Sequence, residues 1–385
     1  MTTATLSFGD RLRALRDRLL ASPAFHRAAS AFPLTRPIAQ RKARELFDLV
    51  AGFVYSQVLS ACVKLGLFEK LADGPLALPA LALHCRMSEA ATERLLAAAI
   101  SLKLIERRSD DAEGRARYGL GMLGAPLVGN EAVLAMIRHH DALYADLADP
   151  VALLRGSGPA PSLSEFYPYT ASDAPQNAGS LAADKVDRYS ELMAASQPLV
   201  AAEILDAYPL DAHRRLLDVG GGEGRFLCSV AARAPHLQLT LFDLPAVADR
   251  ARGRFAAAGI EARAQAVGGN FLSDPLPAGA DIATLVRVVH DHDDERALGI
   301  LRSIFWALPP GGTLLLAEPM AGTAGAEAMG DAYFGFYLLA MGRGRARTAT
   351  ELAGLLQAAG FEPPRTIPTR IPLQVRMLVT QKPKV

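Results

Sequence analysis

Residues 218–224 read DVGGGEG, and this stretch decides the fold of the chain. It follows the apolar pair Leu216-Leu217 and precedes a helix-like run at 225–234. That order predicts a strand, a tight glycine turn and the first turn of a helix. Glycine suits such a turn because a ligand can lie against the backbone where a Cβ atom would block it. The stretch therefore predicts a ligand-binding turn at the carboxyl end of a strand.

The glycine spacing separates this turn from two related ones. Gly220, Gly222 and Gly224 give G-x-G-x-G, whereas the dinucleotide fingerprint needs a glycine where this chain has Arg225. The Lys-Ser/Thr ending of a phosphate-binding loop is also missing. The acidic Asp218 suits a ligand with a positive end and hydroxyls better than it suits a pyrophosphate. S-adenosylmethionine, with its sulfonium, ammonium and ribose, is such a ligand, and a purely structural turn is the alternative.

The composition sets the size and class of the molecule. The chain has 385 residues, half of them apolar, with 41 basic and 40 acidic residues. This length predicts two domains, and the near-neutral charge gives no field that would attract nucleic acid. Cys62, Cys85 and Cys228 are far apart, which argues against a disulfide framework or a zinc site and favours a reducing cytosol. We expect neither a signal peptide nor an uncharged apolar run of the roughly 18 residues that span a membrane.

The first 44 residues carry most of the positive charge. They hold nine basic and two acidic residues, net +7, so the remainder of this +1 chain is net −6. Leu12, Leu15 and Leu19 are spaced for one face of a helix between the arginines. Because a basic amphipathic helix can lie on an anionic membrane, residues 1–40 are predicted to form an arm with peripheral membrane contact. A solvated arm and a dimer contact are the alternatives.

Residues 41–130 show the pattern of a winged-helix domain. An apolar helical run at 50–67 is followed by short helices at 76–84 and from Ser88 onward, and then by a hairpin pattern at 105–120. A DNA-binding role is disfavoured, because residues 45–130 hold nine basic and ten acidic residues and the third helix lacks base-reading side chains. A packing or dimerisation domain is the favoured interpretation.

Strands and helices alternate from residue 213 to the end, after a helical linker at 131–212. This alternation predicts an α/β fold with a parallel sheet covered by helices on both faces. The linker contains a predicted helix at 183–207 and is expected to contribute to a substrate pocket. Predicted strands lie at 216–219, 239–243, 262–267, 282–289, 313–318 and 376–380.

Ligands of parallel sheets bind at the carboxyl ends of the strands, so the polar residues there form the candidate site. Asp243 ends the second predicted strand, where an acid can accept both ribose hydroxyls, and Leu244 follows it. Asn270 and Phe271 lie at the end of the third strand region and could offer an amide and an aromatic lid to adenine. These four residues join the glycine turn as the predicted cofactor site.

The fourth predicted strand runs into RVVHDHDD at 287–294, a polar stretch that is costly at a strand end unless it serves a function. His290 is predicted to be a general base, because imidazole has the side-chain pKa closest to neutrality. Glu318, which ends the fifth strand, could orient it. A metal site is disfavoured, because alternate strand residues point opposite ways and no cysteine or distant histidine pair completes one. His139 and His140 are expected on a helix surface.

Along most of its length the chain resembles the plant-type, dimeric small-molecule O-methyltransferases. Its glycine turn resembles motif I of the class I S-adenosylmethionine-dependent methyltransferases. The resemblance implies a Rossmann-like class I methyltransferase domain at 213–385, an α-helical winged-helix dimerisation domain before it, a homodimer, and S-adenosylmethionine as cofactor. The family's base lies in an HDW motif, which here reads His290-Asp291-His292.

The resemblance also assigns residues around the base. Arg287 stands where the family has a cofactor-contacting lysine, and Asp243 matches its ribose-binding acid. Asn270 stands where the family has an adenine-contacting aspartate, which implies an altered contact. Glu318 matches one of two acids flanking the base, and Ala346 stands at the place of the second. The resemblance therefore implies a histidine held by one acid from these two positions.

The segments LLDVGGGEGRF, LVRVVHDHDD and AMGRGRART most resemble one branch, the carotenoid O-methyltransferases of anoxygenic phototrophs. This resemblance implies methylation of the tertiary hydroxyl of an acyclic hydroxylated carotenoid, a hydrophobic substrate, and strengthens the expectation of contact with the inner or photosynthetic membrane. The alternatives are methylation of a phenol or aromatic polyketide, and a non-catalytic winged-helix regulator with a relict cofactor site. Candidate residues for the apolar tunnel are Met136, Leu143, Tyr144, Phe166, Met193, Tyr333, Phe334, Phe336, Tyr337 and Met341.

Overall fold

A computed structural model describes residues 7–166, 197–372 and 375–384, with side chains for all of these except 165 and 166. The chain divides into two compact units, Met1–Gly129 and Asn130–Val385. The first is mainly helical with a small sheet, and the second contains the large sheet. Separate boundaries at 40 and 212 remain predictions.

The first unit begins with three helices, Phe8–Leu20, Pro23–Ala31 and Arg36–Lys64. The predicted amphipathic helix is present, and its three leucines at 12, 15 and 19 are exposed. The third helix begins well before the predicted run at 50–67. The basic and acidic residues that precede this run have high helix propensity, although they form no apolar pattern. By length and apolar composition alone this helix could cross a membrane, but core helices and signal sequences share those properties.

The rest of the first unit has the predicted arrangement of short helices and a hairpin. Ser88 caps its last helix by accepting a hydrogen bond from the backbone of Ala91. The hairpin pairs Ile105 with Leu120, and a third short strand completes a sheet of order β1-β3-β2. The elements are the helices Leu67–Ala72, Leu78–Cys85 and Glu89–Ser101 and the strands β1 (Leu76–Ala77), β2 (Ile105–Arg108) and β3 (Arg117–Leu120).

The second unit is built on a seven-stranded sheet of order β6-β5-β4-β7-β8-β10-β9. Strands β4 to β8 are parallel, and β10 is antiparallel to both of its neighbours. All six predicted strands are present, and the short β9 was not predicted. The strands are β4 (Arg215–Val219), β5 (Gln238–Asp243), β6 (Ala264–Gly268), β7 (Ile282–Val286), β8 (Thr313–Glu318), β9 (Arg365–Ile367) and β10 (Arg376–Gln381).

Helices cover both faces of this sheet, which explains its nearly continuous apolar strands. Every residue of β7 and β8 is buried. The helices Arg225–Arg233 and Pro245–Ala257 contribute to the core on one face, and Asp294–Ala307 and Ala349–Ala358 contribute to the core on the other. The parallel strands end at one edge and bring their terminal acids there.

Strand β7 ends earlier than predicted. The prediction extended it to 289, but the strand stops at Val286, and Arg287 takes a left-handed backbone with φ 58°. That conformation breaks the strand and starts a short 3-10 turn, Val289–Asp291. The apolar pair Val288-Val289 therefore leads into a turn although its composition is typical of a strand.

The second unit also contains helical segments outside the sheet layers. They are Glu131–Asp146, Pro150–Arg155 and Ser162–Phe166, and a π-helical turn, Ala328–Tyr333, that continues into the helix Phe334–Met341. The predicted helix at 183–207 is observed at 197–207, and its earlier part lies outside the described residues.

Candidate active site

The glycine turn after β4 has a backbone that glycine readily adopts. The φ angle is 69° at Gly220, 58° at Gly222 and 80° at Gly224. A Cβ atom on Gly224 would lie 2.5 Å from the ring of Phe255, so this glycine allows close packing of the turn. A Cβ atom on Gly222 would meet no atom of the described residues within 4 Å. The turn is therefore packed at one glycine and presents open backbone at another.

Asp218 is buried at the end of β4, with 1% of its surface exposed. Its Oδ1 accepts a hydrogen bond of 2.7 Å from Thr284, whereas Oδ2 has no hydrogen-bond partner in the part of the chain that the structure describes. Burial raises the pKa of this carboxyl to about 7. A cationic ligand group would stabilise its charged form, so the unused Oδ2 suits the positive end of S-adenosylmethionine.

Asp243 joins the end of β5 to the glycine turn. It accepts hydrogen bonds from the backbone N–H groups of Gly222, at 2.8 Å, and Leu244, at 2.7 Å. Burial raises the pKa of Asp243, and these two bonds oppose that shift. Each carboxylate oxygen can accept a further hydrogen bond, so the pair of oxygens fits the two hydroxyls of a ribose.

The remaining predicted cofactor residues lie in loops at the same edge. Asn270 Oδ1 accepts a hydrogen bond of 3.0 Å from the backbone of Leu272, so the amide oxygen stabilises its own turn. The ring of Phe271 would lie 3.6 Å from a Cβ atom on Gly220, which places it beside the glycine turn. Arg287 follows β7 and is partly exposed. The structure thus brings Phe271 to the turn, while part of the Asn270 amide is used within its loop.

His290 lies in the turn after β7, between two carboxylates. Its Nδ1 contacts Glu318, and its Nε2 lies 3.0 Å from Oδ1 of Asp291. The other oxygen of Glu318 accepts hydrogen bonds from the backbone of Val288, at 3.0 Å, and Val289, at 2.7 Å. Because Glu318 is held by these backbone groups, it fixes the orientation of the imidazole. The predicted pair His290 and Glu318 is therefore brought together at the sheet edge.

Asp291 is a residue of this candidate site that the sequence prediction missed. The prediction extended the strand to 289 and assumed that the histidines and acids at its end alternate in direction, and this assumption was wrong because β7 ends at Val286 and a 3-10 turn follows. In the turn, consecutive side chains can meet. An acid is absent at Ala346, but Asp291 supplies a second carboxylate to His290. The acid was visible beside the histidine in the sequence, and its contact depended on where the strand ends.

The two carboxylates determine the charge of His290. Burial would lower the pKa of His290, but Asp291 and Glu318 raise it from 6.5 to about 10. Burial would raise the pKa of Asp291, but the charge of His290 lowers it. At neutral pH the ring is therefore an imidazolium that donates from both nitrogens. It can accept a proton only after Nε2 has lost its own proton and its contact with Asp291.

A buried arginine, also absent from the prediction, fixes the turn that carries His290. Arg347 is 2% exposed, and its guanidinium donates to the carbonyl of Val289 at 2.9 Å and to that of His292 at 2.7 Å. Its Nε donates to Asp294 at 2.8 Å. Carbonyls that leave a strand need new partners, and Arg347 provides them. Arg347 is one of three arginines in the stretch 343–347, and nothing in that stretch indicates this role.

The predicted tunnel residues whose side chains the structure describes divide into a buried and a partly exposed group. Leu143, Tyr337 and Met341 are buried with Leu163 in one apolar cluster, so they are core residues in this structure. The side chain of Phe166 and all of Met193 lie outside the described residues. The partly exposed members are Met136, Tyr144, Tyr333, Phe334 and Phe336.

Comparisons with known proteins identify the family of the chain. Residues 144–362 match the family model of the O-methyltransferase domain, and residues 47–129 match that of the O-methyltransferase dimerisation domain. The chain is 40% identical over 372 residues to demethylspheroidene O-methyltransferase of Cereibacter sphaeroides, covering 97% of this chain and 96% of that one. It is 31% identical over 331 residues to acetylserotonin O-methyltransferase of Mus musculus, covering 84% of each chain. The structure of human N-acetylserotonin methyltransferase in complex with S-adenosylmethionine matches with a TM-score of 0.66 and 25% identity, covering 89% of this chain and 98% of that one.

These matches confirm the predicted fold class, a class I methyltransferase domain preceded by a dimerisation domain. They also confirm S-adenosylmethionine as the cofactor. The dimerisation domain supports a homodimer, and a small-molecule substrate is consistent with the family. The chain belongs to the O-methyltransferase family and is an S-adenosylmethionine-dependent O-methyltransferase.

Proposed function

We propose that this enzyme methylates the tertiary hydroxyl of an acyclic hydroxylated carotenoid. The observation that carries the proposal is the similarity to demethylspheroidene O-methyltransferase, which extends over 97% of the chain. A phenolic or polyketide acceptor is the second candidate, and similarity to acetylserotonin O-methyltransferase over 84% of the chain favours it. Both acceptors would use the same donor site and the same histidine.

The donor would be held by the edge of the sheet. The unpaired oxygen of Asp218 would face the positive end, and the Asp243 carboxylate would accept the ribose hydroxyls. When bound, S-adenosylmethionine supplies an electrophilic methyl group on a sulfonium. The other residues proposed to contact it are Gly220, Gly222, Leu244, Asn270, Phe271 and Arg287.

His290 is proposed to take the proton of the acceptor hydroxyl. Glu318 retains the proton at Nδ1, so the neutral imidazole has its lone pair at Nε2, the atom that Asp291 now contacts at 3.0 Å. The acceptor oxygen would have to replace Asp291 at that nitrogen. Asp291 can then stabilise the imidazolium that forms when the proton arrives.

Positioning is expected to contribute more to the rate than proton removal. A tertiary alcohol is too weak an acid for imidazole to deprotonate it beforehand, so the proton would leave as the oxygen–carbon bond forms. Holding the reacting atoms in line can supply roughly 7–11 kcal/mol, and a positioned base adds about 10²–10⁴-fold. Neutralisation of charge during methyl transfer means that a dry pocket does not oppose the reaction.

The N-terminal arm is proposed to bring the enzyme to the membrane that holds such a substrate. Leu12, Leu15 and Leu19 are exposed on the helix Phe8–Leu20, and arginines flank them. Exposed leucines can enter the headgroup region while the arginines bind anionic lipids. The enzyme would then be cytoplasmic and peripheral to the inner or photosynthetic membrane.

Vesicle sedimentation tests the arm. The full chain should sediment with phosphatidylglycerol vesicles and much less with phosphatidylcholine vesicles, and deletion of residues 1–40 should abolish the difference. Sedimentation of the deletion variant equal to that of the full chain would contradict membrane contact. A change in oligomeric state without a change in sedimentation would support a dimer contact instead.

Mass spectrometry tests the acceptor. The protein is incubated with methyl-labelled S-adenosylmethionine and either an acyclic hydroxylated carotenoid or a panel of phenols and aromatic polyketides. A carotenoid product with one added labelled methyl is expected. Labelling confined to the phenols or polyketides would exclude the carotenoid proposal.

A further inference from the structure

Two histidine–tyrosine hydrogen bonds connect helical segments of the second unit. His139 Nε2 lies 2.9 Å from the hydroxyl of Tyr337, and His140 Nε2 lies 2.9 Å from that of Tyr333. Burial lowers the pKa of His139 to about 4 and also lowers the pKa of His140, so both rings are neutral. The expectation of surface histidines was wrong, because both are partly buried and paired.

The two pairs differ in their surroundings. Tyr337 is 6% exposed and belongs to the apolar cluster with Leu143, whereas Tyr333 is partly exposed. The ring centroids of Tyr333 and Phe334 are 5.1 Å apart. The ring centroids of Phe334 and His290 are 6.3 Å apart. The pair that contains Tyr333 is therefore the partly exposed one, and Tyr333 directly precedes Phe334, whose ring packs near that of His290.

The π-helical turn that carries Tyr333 is held next to the end of β8. A Cβ atom on Gly330 would lie 2.7 Å from the carbonyl oxygen of Met320, so the turn packs directly on the backbone two residues beyond Glu318. Burial raises the pKa of Tyr333, and the positive charge of Arg287 opposes that shift. Tyr333 is thus placed by backbone packing beside residues of the catalytic edge. Turns of this kind often occur at functional sites.

The hydroxyl of Tyr333 has unused hydrogen-bonding capacity. Besides His140, it lies 3.4 Å from the sulfur of Met136. If the hydroxyl donates to this sulfur, its partner is a weak acceptor that an alcohol oxygen can displace. His140, whose neutral ring can carry its proton at Nε2, then donates to the oxygen of Tyr333. In this arrangement the Tyr333 hydroxyl can donate to a substrate oxygen and leave the proton of that oxygen for His290.

We propose that Tyr333, positioned by His140, hydrogen-bonds the acceptor hydroxyl and holds it at His290. This inference rests on the proposed function, because it requires an acceptor that presents a hydroxyl group. A long hydrocarbon in an apolar pocket can slide along it, since apolar contacts are not directional. One polar contact at the reactive end would fix the oxygen relative to the methyl group. Tyr333 would thereby also select acceptors with a hydroxyl at that end.

A double-mutant cycle between protein and ligand tests this contact. Dissociation constants are measured for the hydroxylated carotenoid and for the same carotenoid without its hydroxyl, with wild type and with Tyr333→Phe. Loss of one neutral hydrogen bond costs about 0.5–1.5 kcal/mol, so the wild type should prefer the hydroxylated ligand by roughly 2–12-fold. The preference should fall by this factor in Tyr333→Phe, while affinity for S-adenosylmethionine stays unchanged.

The second histidine–tyrosine pair provides the matched control. Tyr337→Phe removes the same atom from a buried position, so it should lower the melting temperature and retain the preference for the hydroxylated ligand. His140→Gln keeps an amide that can bond Tyr333 and should retain more of the preference than His140→Leu.

The outcomes separate this inference from the proposed function. An equal preference in wild type and Tyr333→Phe, with carotenoid turnover intact, would overturn the anchor and leave the proposed function standing. If only phenols are methylated, the carotenoid proposal fails. The same double-mutant cycle is then measured with a phenol that the enzyme methylates and with the analogue that lacks its hydroxyl. An equal preference in wild type and Tyr333→Phe would again overturn the role of Tyr333.

Discussion

The donor side and the proposed acceptor side of the site are held together by different kinds of interaction. At the edge of the sheet, Asp243 and Glu318 are each fixed by two backbone N–H groups. On the helical side, His140 and Tyr333 are joined by a side chain to side chain bond. Backbone contacts survive most substitutions elsewhere, whereas a side-chain pair can be replaced by two mutations. A family can therefore keep one donor and change its acceptors.

The largest expected effect comes from removing the proposed base. His290→Gln should lower turnover by about 10²–10⁴-fold and leave affinity for S-adenosylmethionine unchanged, because the donor contacts lie on other residues. Turnover measured with labelled cofactor checks this, and the exposed His236→Gln is the matched control. Near-wild-type turnover of His290→Gln would remove His290 from the role of base.

Loss of the ribose-binding charge should give the next largest effect. Asp243→Asn exchanges a charged acceptor for a neutral one, and a hydrogen bond to a charged group contributes about 1.5–3 kcal/mol. Cofactor affinity measured by calorimetry should therefore fall by roughly 10–100-fold. Asp249→Asn, an exposed acid of the following helix, should leave it unchanged. Equal affinities for the two variants would contradict the assignment of Asp243.

The second acid beside His290 should control the pH dependence of turnover. With the pKa of His290 at about 10, the neutral base becomes more abundant as pH rises, so the wild-type rate should rise toward that pH. Asp291→Asn removes a negative charge that stabilises the imidazolium, so the rise should move by roughly 1–3 pH units to lower pH. Rate profiles at saturating cofactor test this. Superimposable profiles would show that Asp291 does not set the pKa.

The smallest expected effect is on stability. The pKa of His290 is raised above 6.5, so its pairing stabilises the fold fully below about pH 6.5, and this contribution is lost as pH rises through about 10. At low pH the melting temperature of wild type should therefore exceed that of His290→Gln. The difference should be about 2–4 °C for each kcal/mol that the pairing adds to the free energy of unfolding. The gap should narrow at alkaline pH. A constant gap would assign the difference to packing.

Much of the donor side could be predicted because its signals are local. The order of strand, glycines and helix at 216–234 needs only neighbouring residues, and strand periodicity locates Asp243 and Glu318. The hairpin at 105–120 and the Ser88 cap are local in the same way.

The failures of prediction at the site depended on contacts between distant residues or on one backbone angle. The left-handed conformation of Arg287 ended β7 early and brought Asp291 to His290. Arg347 holds that turn from 55 residues beyond His292. The pairing of His140 with Tyr333 spans 193 residues, and neither residue type indicates a partner by itself.

The sequence by itself therefore determined the fold class, the cofactor and the strand ends that carry its acids, because these follow from periodicity and from residues adjacent in the chain. The tertiary structure alone decided which groups touch His290, the charge that His290 carries, and which tyrosine stands near it. Those properties depend on burial and on distances of a few ångströms between residues that are far apart in sequence. The stretch DVGGGEG at 218–224 predicts the methyl donor, whereas the environment of the acceptor forms only when the chain folds.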